Sequence, residues 1–147
     1  MHRNLDWMHM LNIDYSTSTF DTDPFEPQPE GIGTIFPFFV QKDHNHKGYV
    51  ELPYTLPQDH LLYIILKEKN IDIWKKKLDW IVDKGGMALL NSHPDYMNFG
   101  DTKMQKEEYP VRLYMEFMEY IKNKYKDQYW QALPKEVADF WKEKMVK

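Results

Sequence analysis

The stretch "NIDIWKKKLDWIVDKGGMALLNSHPDY", residues 70–96, places a helix, a glycine stop and an apolar run in direct succession. Apolar residues recur at helical spacing over 74–82, which predicts an amphipathic helix with one buried face. Gly85 follows that face, and glycine commonly ends helices because it adopts the left-handed conformation at no steric cost. The apolar run at 87–92 then predicts a buried strand, and His93 stands at its exit.

The chain upstream of this stretch predicts strands and a long loop. Residues 13–20 are rich in small and β-branched side chains, which favours a strand. Residues 34–40 and 49–54 are two apolar segments on either side of a polar turn, as in a two-stranded ribbon. Pro37 in the first of them indicates an edge strand, because proline cannot donate to a sheet ladder. The proline-rich segment 21–33 predicts a loop.

Helices are predicted around and after the opening stretch. Thr55 and Gln58 have the spacing of a capping box, so a helix is expected to begin there and to run through "DHLLYIILKEK". Residues 109–125 and 133–145 also carry apolar residues on one face. In the last helix the side chains expected to point inward are Val137, Phe140 and Trp141.

This order of elements predicts an α/β protein with few strands and several helices. A complete (β/α) barrel needs roughly 200 residues or more, and the chain has 147. Two folds therefore remain open, a small α/β layer or a part of a larger barrel.

The composition excludes several classes of protein. A net charge of −4 gives no basic signal for binding nucleic acid. The absence of cysteine excludes disulfides and thiolate metal sites. No apolar run approaches the ~20 residues that cross a membrane, and the first residues lack a signal-peptide pattern, so a cytoplasmic location is expected.

Three segments, "TFDTDPFEPQP", "ELPYTLPQDH" and "KGGMALLNSHPDY", resemble the C-terminal portion of NodB-type polysaccharide deacetylases. The resemblance covers roughly residues 1–100. It implies the C-terminal half of a deformed (β/α) barrel within a single domain of residues 1–147, with a helical tail from about residue 110. Members of this family remove N- or O-acetyl groups from sugars with a divalent metal, usually zinc, held by one Asp and two His.

The resemblance implies roles for individual residues. His93 takes the position of the family's histidine that protonates the leaving amine. Asp21 or Asp23 takes the position of an aspartate that supports the family's catalytic machinery, and the sequence does not choose between them. Contacts with substrate are expected at four further residues: Asp59, Leu90, Asp95 and Tyr96.

Each of these positions also has a structural interpretation. A lone histidine at a strand end is often a structural residue, and Asp95 after a proline suits a simple turn. Asp59 near a helix start interacts favourably with the helix dipole. His44 and His46 could hold zinc as a His-x-His pair, but their place in a polar turn favours solvation over metal binding.

The earlier motifs of the family are not found in the sequence. These are an Asp-Asp pair, a His-x-x-x-His pair and an Arg-x-Pro strand, and the chain begins where the sequence after them is expected. The zinc ligands are therefore absent from the chain, which predicts weak or no hydrolysis by the chain alone. Two functions follow: a deacetylase completed by a partner that carries the N-terminal half, or a non-catalytic carbohydrate-binding or interaction domain completed by a homodimer or by a partner chain. Neither nucleic acid nor a membrane is expected as a partner.

Overall fold

The computed structural model describes residues 8, 11–22, 31–41, 48–101 and 103–145. Its strands are β1 (Tyr15–Ser16), β2 (Phe38–Val40), β3 (Tyr49–Glu51), β4 (Met97–Asn98) and β5 (Tyr109–Pro110). Its helices are α1 (Asp72–Asp83), α2 (Val111–Lys124) and α3 (Pro134–Met145), with a π-helical turn at His60–Ile65 and a 3₁₀ turn at Pro94–Tyr96. The predicted sites at Asp23, His44 and His46 lie outside the described residues.

The protein is a mixed α/β protein whose strands, over the described ranges, form two small open sheets and no closed barrel. The chain divides into two compact units. The first unit comprises Met1–Thr55, Gly86–Leu89 and Gln131–Lys147, and the second comprises Leu56–Gly85 and Leu90–Trp130. None of the helices in the described part of the chain has both the length and the apolar composition needed to cross a bilayer.

The first unit is built on the three-stranded sheet β1-β3-β2. Strand β3 pairs in parallel with β1 and antiparallel with β2, so the predicted ribbon is confirmed and β2, which follows Pro37, lies at an edge. The buried side chains of Val50 and Leu52 pack with Ala138 of α3. The prediction that Phe140 points inward is wrong: its side chain is 45% exposed because the buried side of α3 is centred on Ala138.

The segment after α1 is not the buried strand that its apolar sequence predicted. Residues 87–92 have no assigned secondary structure, and none of them is fully buried. Two backbone bonds hold this segment, from the Thr55 amide to the Leu89 carbonyl and from the Met87 amide to the Ile35 carbonyl. The hydroxyl of Thr55 adds two more, since it donates to the carbonyl of Met87 at 2.8 Å and accepts from the Leu89 amide at 3.0 Å. Gly86 is needed here because a Cβ at this position would lie 2.4 Å from Cδ1 of Ile35.

The same threonine explains why the predicted capping box is wrong. Its hydroxyl is already bonded to residues 87 and 89, and the Gln58 side chain accepts instead from Asn91 at 3.2 Å. The helical segment begins at His60, with Asp59 as its N-cap, and covers only six residues in π-helical form. Lys67, with a φ of 56°, follows this segment.

The second unit contains the helix pair α1 and α2. Helix α1 is confirmed, with Trp74, Leu78 and Ile81 buried, and Gly85 follows it with a φ of 65°. The ring of Trp74 lies 4.8 Å from that of Phe117 in α2, measured between ring centroids. The parallel pair β4-β5 leads directly into α2.

Candidate functional site

A buried carboxylate in the second unit binds the histidine that the sequence singled out. The side chain of Asp59 is fully buried and lies at the start of the π-helical turn, while His93 immediately precedes the 3₁₀ turn. Oδ1 of Asp59 lies 2.6 Å from Nδ1 of His93, and the backbone amide of His93 donates to Oδ2 at 2.7 Å. Asp59 therefore holds both the ring and the backbone of His93.

Two further groups donate hydrogen bonds to the carboxylate of Asp59. The backbone amide of His60 donates to Oδ1 at 2.8 Å, and the hydroxyl of Tyr109 donates to Oδ2 at 3.0 Å. Each carboxylate oxygen thus accepts two hydrogen bonds. A buried carboxylate is tolerated only when it is well hydrogen-bonded, and an ionised carboxylate accepts without donating, which matches this arrangement.

This geometry assigns the proton positions on the His93 ring. Because an ionised Asp59 only accepts, Nδ1 of His93 carries a proton, and Nε2 of the neutral ring is left with a lone pair. The His93 side chain is 36% exposed. Nε2 can therefore take up a proton from a bound molecule, or donate one when the ring is protonated, while Asp59 keeps the ring in a fixed orientation.

Two other rings lie beside His93. The centroid of Tyr96 is 5.4 Å from that of His93 and 5.2 Å from that of His60, and both Tyr96 and His60 are half-buried. We call His60, His93 and Tyr96 the aromatic group. It offers partly exposed ring surface next to a group that can exchange a proton.

Tyr109 stays a hydrogen-bond donor to Asp59 at every ordinary pH. Burial is the main cause that raises the pKa of its hydroxyl above the usual range, and the charge of Asp59 and the hydrogen bond to it raise it further. The ring of Tyr109 is stacked on that of Tyr63 at 4.6 Å between centroids, which fixes the hydroxyl in place.

Of the two aspartates predicted to support the catalytic machinery, the structure describes only Asp21, and the carboxylate that bonds Nδ1 of His93 belongs to Asp59. Asp59 was expected to contact substrate, but it is fully buried and both of its oxygens are occupied. Asp21 lies in the first unit, is 6% exposed, and its backbone amide donates to the carbonyl of Tyr54.

The other predicted positions lie near His93 in the chain with different exposures. Tyr96 belongs to the aromatic group, Asp95 is exposed in the 3₁₀ turn, and Leu90 is half-buried in the segment that leads to His93. Tyr109 was not predicted. It is 50 positions from Asp59 in the chain, and its place before Pro110 at a helix start indicated only an element boundary.

The described residues do not fit a zinc site. Among them, no three His, Asp or Glu side chains are grouped so that they could hold a metal ion. The bond from Nδ1 of His93 to Asp59 leaves Nε2 of the ring outside this hydrogen-bond network. The described part of the site supplies a positioned imidazole and its carboxylate.

Comparisons with models of protein families, with curated proteins and with solved structures found no match to this chain. His93 and its partners must therefore be interpreted from their own geometry and from the sequence motifs around them.

Proposed function

We propose that this chain supplies the proton-transfer residues of a carbohydrate deacetylase, as part of a deformed (β/α) barrel. The observation that carries the proposal is the bond between the half-exposed His93 and the buried Asp59, 2.6 Å from Nδ1 to Oδ1. A carboxylate behind a partly exposed imidazole is the usual arrangement for an acid–base histidine. The likeness of "ALLNSHP" to the last deacetylase motif supports the same role.

In this proposal His93 acts on the leaving group. When the acetyl C–N bond breaks, the departing nitrogen takes the electron pair and needs a proton, which Nε2–H of protonated His93 donates. The ring returns to the neutral form with its proton on Nδ1, still bonded to Asp59. Positioned acid–base groups of this kind contribute about 10²–10⁴-fold in rate. No described residue is assigned to activate the attacking water.

The aromatic group supports a sugar as the substrate. Tyr96 and His60 present partly exposed rings within 5.2 Å of each other, and apolar ring surface packs well against the C–H face of a pyranose. A sugar resting on these rings would place its substituents near Nε2 of His93. Asp95, exposed in the same turn, is proposed to accept from sugar hydroxyls, and Leu90 to line the binding site.

Binding of substrate is the first test. The full chain is titrated with acetylated and with deacetylated chito-oligosaccharides, and the ring protons of His93, His60 and Tyr96 are followed by NMR. We expect the acetylated sugar to shift all three residues. If no acetylated sugar, whether N- or O-acetylated, perturbs these rings at millimolar concentration, the proposal is overturned.

Catalysis is the second test. Acetate release is measured with added zinc, for the chain alone and with a polypeptide that carries the Asp-Asp and His-x-x-x-His motifs of the family. We expect release in the mixture, lowered at least 100-fold by His93→Ala and by Asp59→Asn. The matched control is Asp83→Asn, an exposed aspartate at the end of α1, which should leave the rate unchanged. Equal activity of wild type and His93→Ala would remove His93 from the mechanism.

The alternative is a non-catalytic carbohydrate-binding or interaction domain, and the aromatic group favours it because ring surface is sufficient for binding. The two functions differ in one requirement: the deacetylase needs Nε2 of His93 to donate a proton, and the binding domain does not. A binding domain would hold the deacetylated sugar as well as the acetylated one, and the mixture would release no acetate. Its state of association, homodimer or complex with a partner, would be read from the mass measured by light scattering.

A further inference from the structure

A stack of buried aromatic rings in the second unit ends in the hydroxyl that donates to Asp59. The ring of Tyr109 lies on that of Tyr63 at 4.6 Å between centroids, and Tyr63 meets the ring of Trp74 edge to face at 5.1 Å. We infer that Tyr109, held by this stack, is a positioning residue for proton transfer by His93. The inference rests on the proposed function, because it gives Tyr109 a task in a step that His93 performs.

Tyr109 reaches the carboxylate of Asp59 from a separate part of the chain. The other three groups bonded to this carboxylate belong to His60, the next residue, and to His93 itself. These two residues stand at the starts of short helical turns of six and three residues. Among the described residues, Tyr109 of β5 is the one donor to Asp59 from a third segment. It therefore ties Asp59 and His93 to a part of the unit that contains neither of them.

The stack determines where the hydroxyl of Tyr109 can lie. Its three rings are at most 3% exposed, and Trp74 also packs against Phe117 of α2 at 4.8 Å between centroids. Aromatic pairs at about 4.5–7 Å attract each other in preferred orientations, which restricts the movement of each ring. The indole N–H of Trp74 donates to the carbonyl of Pro57 at 2.7 Å, two positions before Asp59. The same rings thus hold the Tyr109 hydroxyl and the segment that leads into Asp59.

The bond from Tyr109 restricts the rotation of the Asp59 carboxylate. Oδ2 accepts from the Tyr109 hydroxyl and from the amide of His93, and Oδ1 lies 2.6 Å from Nδ1 of His93. Without the hydroxyl, Oδ2 would keep one donor, and rotation of the carboxylate would cost less. Rotation would move Oδ1 and with it the imidazole. A reacting group that is displaced by about 1 Å can lose 10²-fold in rate, so the direction of Nε2 depends on Tyr109.

The first experiment observes the His93 ring without any substrate. The full chain is labelled with ¹⁵N-histidine, the proton on Nδ1 of His93 is followed by NMR, and its absence in His93→Ala assigns it. We expect the signal in the wild type, because a hydrogen-bonded proton is protected from exchange with water, and its loss in Tyr109→Phe. The matched control is Tyr125→Phe, which removes a tyrosine hydroxyl from the carboxylate of Asp79 in the same unit and should keep the signal.

The second experiment separates proton transfer from the binding of substrate. Acetate release is measured in the mixture with the polypeptide that carries the Asp-Asp and His-x-x-x-His motifs. Tyr109 is 2% exposed and does not reach a bound sugar, so Tyr109→Phe should lower kcat at least tenfold and change KM less than twofold. Tyr125→Phe should change neither constant. A purely structural role of Tyr109 would lower the amount of folded protein and leave kcat per folded molecule unchanged.

The failure of this inference is distinguishable from that of the proposed function. Loss of the Nδ1 signal in Tyr109→Phe, with no acetate released by any mixture, supports the positioning of His93 and removes the deacetylase function. Acetate release that requires His93 but has the same kcat in Tyr109→Phe overturns the positioning role and keeps the deacetylase. An Nδ1 signal that is absent from the wild type, or equal in wild type and folded Tyr109→Phe, also overturns it.

A second variant covers the case in which Tyr109→Phe does not fold. A ring-fluorinated tyrosine at position 109 keeps the ring and the hydroxyl but makes the phenol a stronger donor. We expect the Nδ1 proton of His93 to change its chemical shift, because the bond from Tyr109 and the bond from Nδ1 share one carboxylate. The same shift as in the wild type would overturn the inference.

Discussion

Two buried carboxylates, one in each unit, have opposite surroundings. Glu51, in the first unit, is fully buried, and one oxygen accepts from the amides of Ser18 and Thr19 and from the Thr19 hydroxyl. Its other oxygen has no partner among the described residues. Asp59, in the second unit, is equally buried but uses both oxygens and binds a half-exposed imidazole.

The difference distinguishes a carboxylate with a structural role from one suited to supporting proton transfer. All the donors of Glu51 are neutral groups of residues 18 and 19, so it fixes a loop to strand β3. Asp59 binds the imidazole of His93, a type of side chain that often transfers protons in catalysis, and this ring is partly open to solvent. Burial of an acid is therefore not a sign of function by itself, and it is the kind of partner that distinguishes the two sites.

The largest expected effect is a difference between two isosteric substitutions. Asp59→Asn replaces an oxygen that accepts two hydrogen bonds with an amino group that accepts none, and should cost about 3 kcal/mol of unfolding free energy. Glu51→Gln can keep its carbonyl toward the three donors and should cost about 1 kcal/mol. Urea denaturation measures both, and equal losses would contradict the distinction between the two sites.

A smaller effect is expected from Tyr109→Phe. This change removes one of the four bonds to Asp59 but keeps the ring stacked on Tyr63, so about 1.5 kcal/mol of stability should be lost near pH 7. Tyr129→Phe, at a side chain that is 47% exposed, is the matched control and should cost almost nothing.

The cost of Tyr109→Phe should also depend on pH. Since the pKa of Tyr109 is raised in the folded protein, its contribution is complete below the unfolded value of about 10 and declines as the pH rises above it. The deficit of the variant relative to wild type should therefore shrink above about pH 10. A deficit that stays constant from pH 7 to pH 11 would show that the hydroxyl titrates normally in the folded protein.

The smallest effect is expected at a carboxylate with many partners but little burial. Asp79 of α1 accepts from Tyr120 at 2.7 Å and from Lys124 at 2.8 Å, and also from Tyr125. Its side chain is 38% exposed, so screening by solvent limits the loss on Asp79→Asn to about 0.5 kcal/mol.

The pH dependence of this loss has the opposite direction to that at Tyr109. Burial alone would raise the pKa of Asp79, but the hydrogen bonds from Lys124, Tyr125 and Tyr120 outweigh it and lower the pKa. The stabilisation is therefore present above the unfolded pKa near 4 and is lost as the pH falls through the lower folded value. Wild type and Asp79→Asn should become equally stable in strong acid, as measured by thermal melting from pH 7 to pH 2.

The sequence predicted those elements whose signals are local. Helix α1 with its terminal glycine and the ribbon of β2 and β3 follow from spacing and turn residues within a few positions. Thr55 shows the limit of such local signals. Its capping-box pattern was correct, but its hydroxyl instead bonds residues that are 32 and 34 positions away. The local pattern predicted the Thr55 hydroxyl as a helix cap, but in the fold its hydrogen bonds to residues 87 and 89 occupy it.

The candidate site was predicted only in part, because its contacts join residues that are far apart in the chain. The motif singled out His93, but no feature of the sequence indicated that Asp59 bonds its ring. The bonds from Asp59 to His93 and to Tyr109 join residues 34 and 50 positions apart. Such pairs form only when the unit folds, and nothing in the spacing of the chain marks them.

Tyr109 connects the start of α2 with the residue that orients His93. Its hydroxyl bonds the carboxylate that holds the His93 ring, and α2 begins two positions after it. A displacement of the start of α2 would therefore reach the imidazole through a single hydrogen bond, over a separation of 50 positions between Asp59 and Tyr109.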